Sequence, residues 1–175
     1  DQIQSIASIT KLMTAMVTLD AALPLDEPIT ITTDDAQAAQ SKRRARVPVG
    51  ATLTRAELLQ LALMASDNVA AVALGRAYPG GMDGFAAAMN AKAHELEMTG
   101  SRFVEPSGLS SENVSTAEDL AKLVRAAKGY PVIAEYSGHR LSPDERDIWI
   151  VHRLDRDASG LLVVARTVNA RDQLI

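Results

Sequence analysis

Aromatic side chains make up only 3% of this chain, while hydrophobic residues of all kinds make up 47%. Any core it builds must therefore be filled by Ala, Leu, Val, Ile and Met, a composition that favours helices. The hydrophobic share marks a globular chain, and 175 residues suffice for one domain with a real core, or one domain plus a fragment. A net charge of −4 argues against nucleic-acid binding through the overall field. The absence of cysteine removes disulfides, thiol catalysis and cysteine-based zinc sites. No apolar run reaches the length of a membrane span and no signal-peptide pattern is present, so no membrane-spanning element is expected.

Hydrophobic spacing and end signals divide the chain into segments. Ile9, Leu12, Met13, Met16 and Val17 recur with helical period, which puts Ser8 at a helix N-terminus and ends that helix before Pro24. Ile29 to Thr32 reads as a short strand. Residues 34 to 50 show no clear period and carry Lys42, Arg43, Arg44 and Arg46, the pattern of a solvated loop. Thr54-x-x-Glu57 is a capping box before an apolar run that ends near Ser66. A helix follows Asp67 and runs to Tyr78, and another spans 82 to 97 with Phe85, Met89 and Leu96 on one face. Ser115-x-x-Glu118 reads as a second capping box, with Gly129 at the expected C-terminal glycine position. Residues 142 to 147 form a polar, turn-prone boundary, followed by strands over 148–151 and 161–165, and Asn169 is placed to cap a last short helix.

A chemical possibility sits at the first helix. A serine hydroxyl needs a base to become a nucleophile. Residues three apart on a helix share a face, so Lys11 can reach Ser8. As a base, Lys11 must spend part of its time neutral, which burial or a neighbouring positive charge favours. The helix N-terminus adds positive potential and offers the Ser8 backbone N–H as an oxyanion donor. Ser66-Asp67-Asn68, at a turn between two helices, offers a second hydroxyl for proton relay and an amide for orienting a substrate. The plainer reading of each motif is an ordinary helix cap.

These segments resemble a known family. Ala7-Ser8-Ile9-Thr10-Lys11-Leu12-Met13-Thr14 is similar to the nucleophile motif of low-molecular-mass penicillin-binding proteins, the D-alanyl-D-alanine carboxypeptidases and endopeptidases. Leu63 to Ala71, around Ser66-Asp67-Asn68, resembles their second motif. Phe103-Val104-Glu105-Pro106-Ser107-Gly108-Leu109-Ser110 resembles a further family segment, and Ser115 to Leu120 resembles the helix after it. The likeness covers about residues 5 to 137 and is strongest to the small endopeptidase branch. It implies an α+β fold, the mostly helical part of a β-lactamase/D,D-peptidase-like architecture. It also implies catalysis by Ser8, Lys11, Ser66 and Asn68, without a cofactor or metal. The implied partners are peptidoglycan peptide and β-lactams, and the implied location is periplasmic or cell-wall associated.

The family's third motif, Lys-Thr-Gly or Lys-Ser-Gly, is not in the sequence, and only seven residues precede Ser8. What stands further on is Val151 to Thr167, with His152-Arg153-Leu154-Asp155 and Ser159-Gly160-Leu161-Leu162. That segment resembles the catalytic motif of a family of RNA pseudouridine synthases, and the resemblance implies Asp155 as catalytic residue and RNA as partner in the cytoplasm. The plainer reading is a β-hairpin that completes a reduced sheet, with His152-Arg153-Leu154-Asp155 as surface or turn residues. A further expectation is that such a hairpin takes the place of the missing motif strand, with Arg153 or His152 supplying the cation for a substrate carboxylate. The expected organisation is thus a D,D-peptidase-like region over 1–137 and a linker, hairpin and short helix over 138–175, packed on the first. An active serine peptidase, a synthase fragment and a non-catalytic domain joined from two unrelated segments all remain open at this level. An open sheet edge would also allow a homodimer.

Overall fold

The computed structural model describes residues 2–40, 47–137, 149–150 and 164–165. Strand β1 (Gln4–Ser5) leads into a 3-10 turn, Ala7–Ile9, and then helix α1 (Thr10–Asp20). Strand β2 (Pro28–Thr30), helix α2 (Thr33–Ala38) and strand β3 (Thr52–Thr54) follow. Four helices come next: α3 (Arg55–Met64), α4 (Asn68–Arg76), α5 (Gly81–Glu95) and, after strand β4 (Val114–Ser115), α6 (Ala117–Ala127). Helix α7 (Pro131–Ser137) and strands β5 (Trp149–Ile150) and β6 (Val164–Ala165) complete the described elements. This is an α+β fold in which helices supply nearly all of the core.

Helix α1 is the axis of the packing, touching α3, α4, α5 and α6. Its apolar residues Met13, Ala15, Met16 and Val17 are buried, and so are its polar residues Thr10, Lys11, Thr14 and Thr18. A helix buried on all sides must satisfy its polar side chains internally, because water cannot. Thr14 Oγ1 donates to the Pro106 carbonyl at 2.7 Å, and Thr18 Oγ1 donates to the Thr14 carbonyl at 2.8 Å. Thr10 Oγ1 accepts from Asn113 Nδ2 at 3.2 Å. Leu58, Leu59, Leu74, Phe85, Met89, Phe103 and Leu123 fill the space around it, with Phe85 packed edge-on against Tyr78. The scarcity of aromatics shows directly: two phenylalanines sit among many aliphatic side chains. At the far end of α1, Asp20 accepts from the Tyr130 hydroxyl (2.6 Å) and pairs with Lys92 of α5 (3.0 Å).

Several end signals act as the sequence implies. Thr54 and Glu57 form the reciprocal capping box of α3, and Asp67 caps α4 through the Ala70 N–H at 2.9 Å. Others differ. Residues 34–38, expected within a loop, form most of α2, which Thr32 and Asp35 open with a capping box. Aspartate in place of the usual glutamate or glutamine disguised that signal. Lys42, Arg43, Arg44 and Arg46 lie outside the described residues. In place of the second capping box a single cap forms, one residue further on. Thr116, not Ser115, caps α6, accepting from the Asp119 N–H at 3.2 Å. The shift turns Asp119 inward and leaves Glu118 exposed. Gly129 falls just past α6, but its backbone is not left-handed; the chain turns through short hydrogen bonds into α7, which Pro131 begins.

The strands form three separate two-stranded sheets among the described residues: β1 with β4, β2 with β3, and β5 with β6, all antiparallel. The expected pairing of the last two strands is present, as Trp149 opposite Ala165 and Ile150 opposite Val164. They hydrogen-bond to each other and to no other described strand, so the hairpin does not extend β1 and β4. Strands of two residues offer few ladder bonds with which to recruit a neighbour. Residues 138–148, which hold the expected linker, and 166–175, which hold the expected last helix, lie outside the described residues. No helix among the described residues is long and apolar enough to cross a membrane.

Asp119 joins α6 to the turn after α5. Its Oδ2 accepts from the Gly100 N–H (2.8 Å) and the Ser101 hydroxyl (2.9 Å), and its Oδ1 accepts from Lys122 (3.2 Å). Burial opposes its ionisation, but the hydrogen bonds from Ser101, Lys122 and Gly100 outweigh this and hold its pKa below the ordinary carboxylate value. A carboxyl depressed in the folded state adds stability above its unfolded pKa, about 3.9, and loses it as pH falls through the lower folded value. Asp119→Asn should therefore cost about 1–3 kcal/mol at neutral pH, and the difference from wild type should shrink below pH about 4. Urea unfolding of both proteins at pH 7 and pH 3 checks this.

Candidate active site

The site is assembled where three backbone segments meet at the head of α1. Ser8 lies in the 3-10 turn before α1, half-buried, and the Ile6 N–H fixes the entry of that turn on the Asn113 carbonyl at 3.1 Å. Ser8 is the second residue of the turn, so its N–H has no partner within it. Lys11 projects from the first turn of α1 and is 3% exposed. Ser66 sits between α3 and α4, buried, and Asn68 opens α4.

The hydroxyl of Ser8 is the hub. Lys11 Nζ donates to Ser8 Oγ at 3.2 Å, and Ser66 Oγ donates to the same oxygen at 3.0 Å. Lys11 Nζ also donates to the Ser107 carbonyl at 2.7 Å. A hydroxyl within hydrogen-bond reach of an amine and a second hydroxyl is the arrangement that nucleophile activation with proton relay requires. Asn68 brings a different signal. Its side-chain Oδ1 is buried and has no hydrogen-bond partner among the described residues. Buried acceptors are nearly always satisfied, so this orphan at the start of α4 is a candidate to accept from an external donor.

The backbone around these side chains is strained in a consistent way. Ala7 (φ 45°), immediately before Ser8, and Ser66 (φ 52°) both occupy the left-handed region, which non-glycine residues enter only at a cost. Gly108 (φ 84°) closes the arrangement from the third segment. A Cβ on Gly108 would lie 1.9 Å from the Ala7 carbonyl oxygen and 3.1 Å from the Ser8 nitrogen. Only glycine lets the loop backbone press directly on the turn that carries Ser8.

The structure thus brings together Ser8, Lys11 and Ser66 of the expected set, with Asn68 opening the helix next in line. Arg153 and Asp155, the candidates of the last segment, lie outside the described residues, as does His152. The sequence did not single out the Ser107 carbonyl, Gly108, Thr14 or Asn113. Thr14, one helical turn beyond Lys11, was the legible hint of a polar seam on α1. Nothing local announced Asn113, whose partners are up to 103 positions away. Among the described residues, no group of His, Asp and Glu is arranged to hold a metal ion.

Comparison with known proteins places the sequence and the fold. A family model described as D-alanyl-D-alanine carboxypeptidase matches residues 1–169, a range that runs through the segment resembling the synthase motif. The chain is 52% identical over 141 residues to a D-alanyl-D-alanine endopeptidase of Escherichia coli, covering 80% of this chain and 45% of that protein. It is 50% identical over 137 residues to a D-alanyl-D-alanine endopeptidase of Pseudomonas aeruginosa, covering 78% of this chain and 44% of that protein. The chain therefore spans less than half the length of these two relatives. Among solved structures it is similar to the Streptomyces K15 DD-transpeptidase, with a TM-score of 0.73 at 29% identity over 80% of this chain and 57% of that one. A D-alanyl-D-alanine carboxypeptidase from Mycobacterium tuberculosis matches with a TM-score of 0.71 at 30% identity, over 98% of this chain and 61% of that one.

The tight approach at Gly108 gives a direct test of the assembly. Gly108→Ala should destabilise the fold by about 2 kcal/mol or more, combining left-handed strain with backbone overlap. Chemical denaturation of the variant against wild type measures the loss.

Proposed function

The chain belongs to the D-alanyl-D-alanine carboxypeptidase family, and on that premise we propose that it is a serine D,D-peptidase acting on D-alanine-containing peptidoglycan peptides. The observation that carries the proposal is the convergence of Lys11 Nζ and Ser66 Oγ on Ser8 Oγ, at 3.2 and 3.0 Å.

In this reading Ser8 Oγ attacks the carbonyl carbon of the scissile D-alanyl bond while Lys11, in its neutral form, accepts the hydroxyl proton. Burial of Lys11 works in that direction, because desolvation penalises the ammonium more than the amine. The Ser8 N–H, unpartnered within its turn, is a candidate donor to the developing oxyanion. The C–N bond then breaks as Ser66 gives its hydroxyl proton to the departing amine and is reprotonated by the proton that Lys11 took from Ser8, which returns Lys11 to its neutral form. Asn68 Oδ1 accepts from a substrate backbone N–H, which answers its missing partner. Water hydrolyses the resulting ester and regenerates Ser8. β-Lactams would be opened by the same attack and held at the ester stage.

The relatives of highest identity quoted above are endopeptidases, which supports cleavage of peptide cross-links over removal of a terminal residue. Residues 1–137 are the unit that carries this chemistry in our reading, with a periplasmic or cell-wall location. The sequence has no Lys-Thr-Gly or Lys-Ser-Gly, and Arg153 is the candidate to replace its cation toward a substrate carboxylate. The reach of the peptidase family model to residue 169 favours this reading over a synthase fragment.

Incubation with benzylpenicillin followed by intact-mass measurement is the test. A stoichiometric adduct is expected in wild type and none in Ser8→Ala. Lys11→Met should slow acylation by about 10²-fold or more, the usual contribution of a positioned general base. A folded wild-type chain that never forms the adduct overturns the proposal.

A further inference from the structure

Lys11 meets the loop after α5 at a peptide group. The carbonyl that accepts from Lys11 Nζ at 2.7 Å belongs to Ser107, and the N–H of that same peptide unit belongs to Gly108. The Gly108 N–H donates to Glu105 Oε1 at 2.6 Å. One planar amide therefore has a carboxylate on its hydrogen and an amine on its oxygen.

Glu105 is held for this task. Its Oε2 accepts from the Ser107 N–H (2.7 Å) and the Ser107 hydroxyl (2.5 Å). Its Oε1 accepts from the Ser110 N–H (3.3 Å) and from Asn113 Nδ2 (2.8 Å), besides Gly108. Asn113 is fully buried and anchors the loop in turn. Its Nδ2 also reaches the Glu105 carbonyl and Thr10 Oγ1 on α1, and its Oδ1 accepts from the Val104 and Glu105 N–H groups. A surface turn needs no such clamp. A half-buried carboxylate that collects five donors fixes the plane of the amide that Lys11 contacts.

We propose that Glu105 is a positioning residue for Lys11, acting through the single peptide group between Ser107 and Gly108. A charge-assisted hydrogen bond to an amide N–H increases the electron density on its carbonyl oxygen, because bonds in a chain polarise one another. Glu105 thereby both aims the Ser107 carbonyl and strengthens it as an acceptor for the Lys11 ammonium. Several other charged groups on the elements around α1 have partners of their own. Asp67 caps α4, Asp119 holds Gly100 and Ser101, Lys92 pairs with Asp20 at the far end of α1, Arg76 pairs with Asp35, and Glu57 caps α3. The importance of the device for catalysis rests on the Ser8–Lys11 reading above; its effect on Lys11 does not.

The test is an NMR titration of the lysine side-chain resonances in wild type, Glu105→Gln and Glu105→Asp. The chain has only five lysines, and Lys11→Arg identifies the signal. Loss of the carboxylate weakens the acceptor of the ammonium, so the Lys11 midpoint should move down by roughly half a pH unit or more in Glu105→Gln. The other lysines should stay in place. In Glu105→Asp, which keeps the charge but is shorter by one methylene, the shift should be smaller and in the same direction. The pH midpoint of benzylpenicillin acylation should follow the Lys11 midpoint. A folded variant, either of the two, whose Lys11 midpoint equals that of wild type overturns the proposal. A variant that merely loosens the fold would lower the melting temperature without moving Lys11 selectively. A wild type in which Lys11 responds to Glu105 but Ser8 is never acylated would sink the peptidase reading and leave this inference standing.

Discussion

Everything at this site depends on burying a lysine inside a helix that is enclosed along most of its length. Removing an amine from water is expensive, and the fold compensates with a carbonyl and a hydroxyl placed on Nζ. That requirement propagates outward. The carbonyl must come from a loop distant in sequence, the loop must approach without side-chain bulk, and its amide plane must be fixed. Gly108 meets the second condition; Glu105 and Asn113 meet the third. The polar threonines of α1 follow from the same enclosure, since a helix with no solvent face has to find its hydrogen bonds in neighbouring backbone.

The frame of helices was legible from the chain because its signals are local. Apolar spacing located α1, α3, α4 and α5, and the Thr54–Glu57 box and Asp67 marked two helix starts to the residue. The errors were local as well. An aspartate at the third helical position hid α2, and two adjacent hydroxyl residues, Ser115 and Thr116, competed for one capping role. Burial decided between them, because only the Thr116 frame turns Asp119 toward Gly100 and Ser101.

Of the candidate site itself, the converging side chains were visible in motif spacing, while their supports were not. Ser8 and Lys11 are three residues apart, so their contact follows from helical geometry. The Ser66–Ser8 bond spans 58 positions and the Lys11–Ser107 bond spans 96. Periodicity carries no information about contacts of that range. The left-handed backbone at Ala7 and Ser66 was equally hidden, since neither residue type advertises it.

Asp35 shows how such economy shapes the rest of the molecule. It caps α2 through the Thr32 N–H, and the same carboxylate receives two hydrogen bonds from Arg76 of α4, whose guanidinium also holds the Thr30 carbonyl of β2. A helix of six residues has too few internal bonds to persist alone. Its existence is tied instead to an ion pair with a different helix. Opening α2 would uncap its first turn and strand a buried charge in one event, so this segment has no low-cost way to fray by itself. It should open only together with α4, the helix that carries Asn68 at its head, which places the edge of the candidate site inside the cooperative unfolding unit and not on a loosely attached margin.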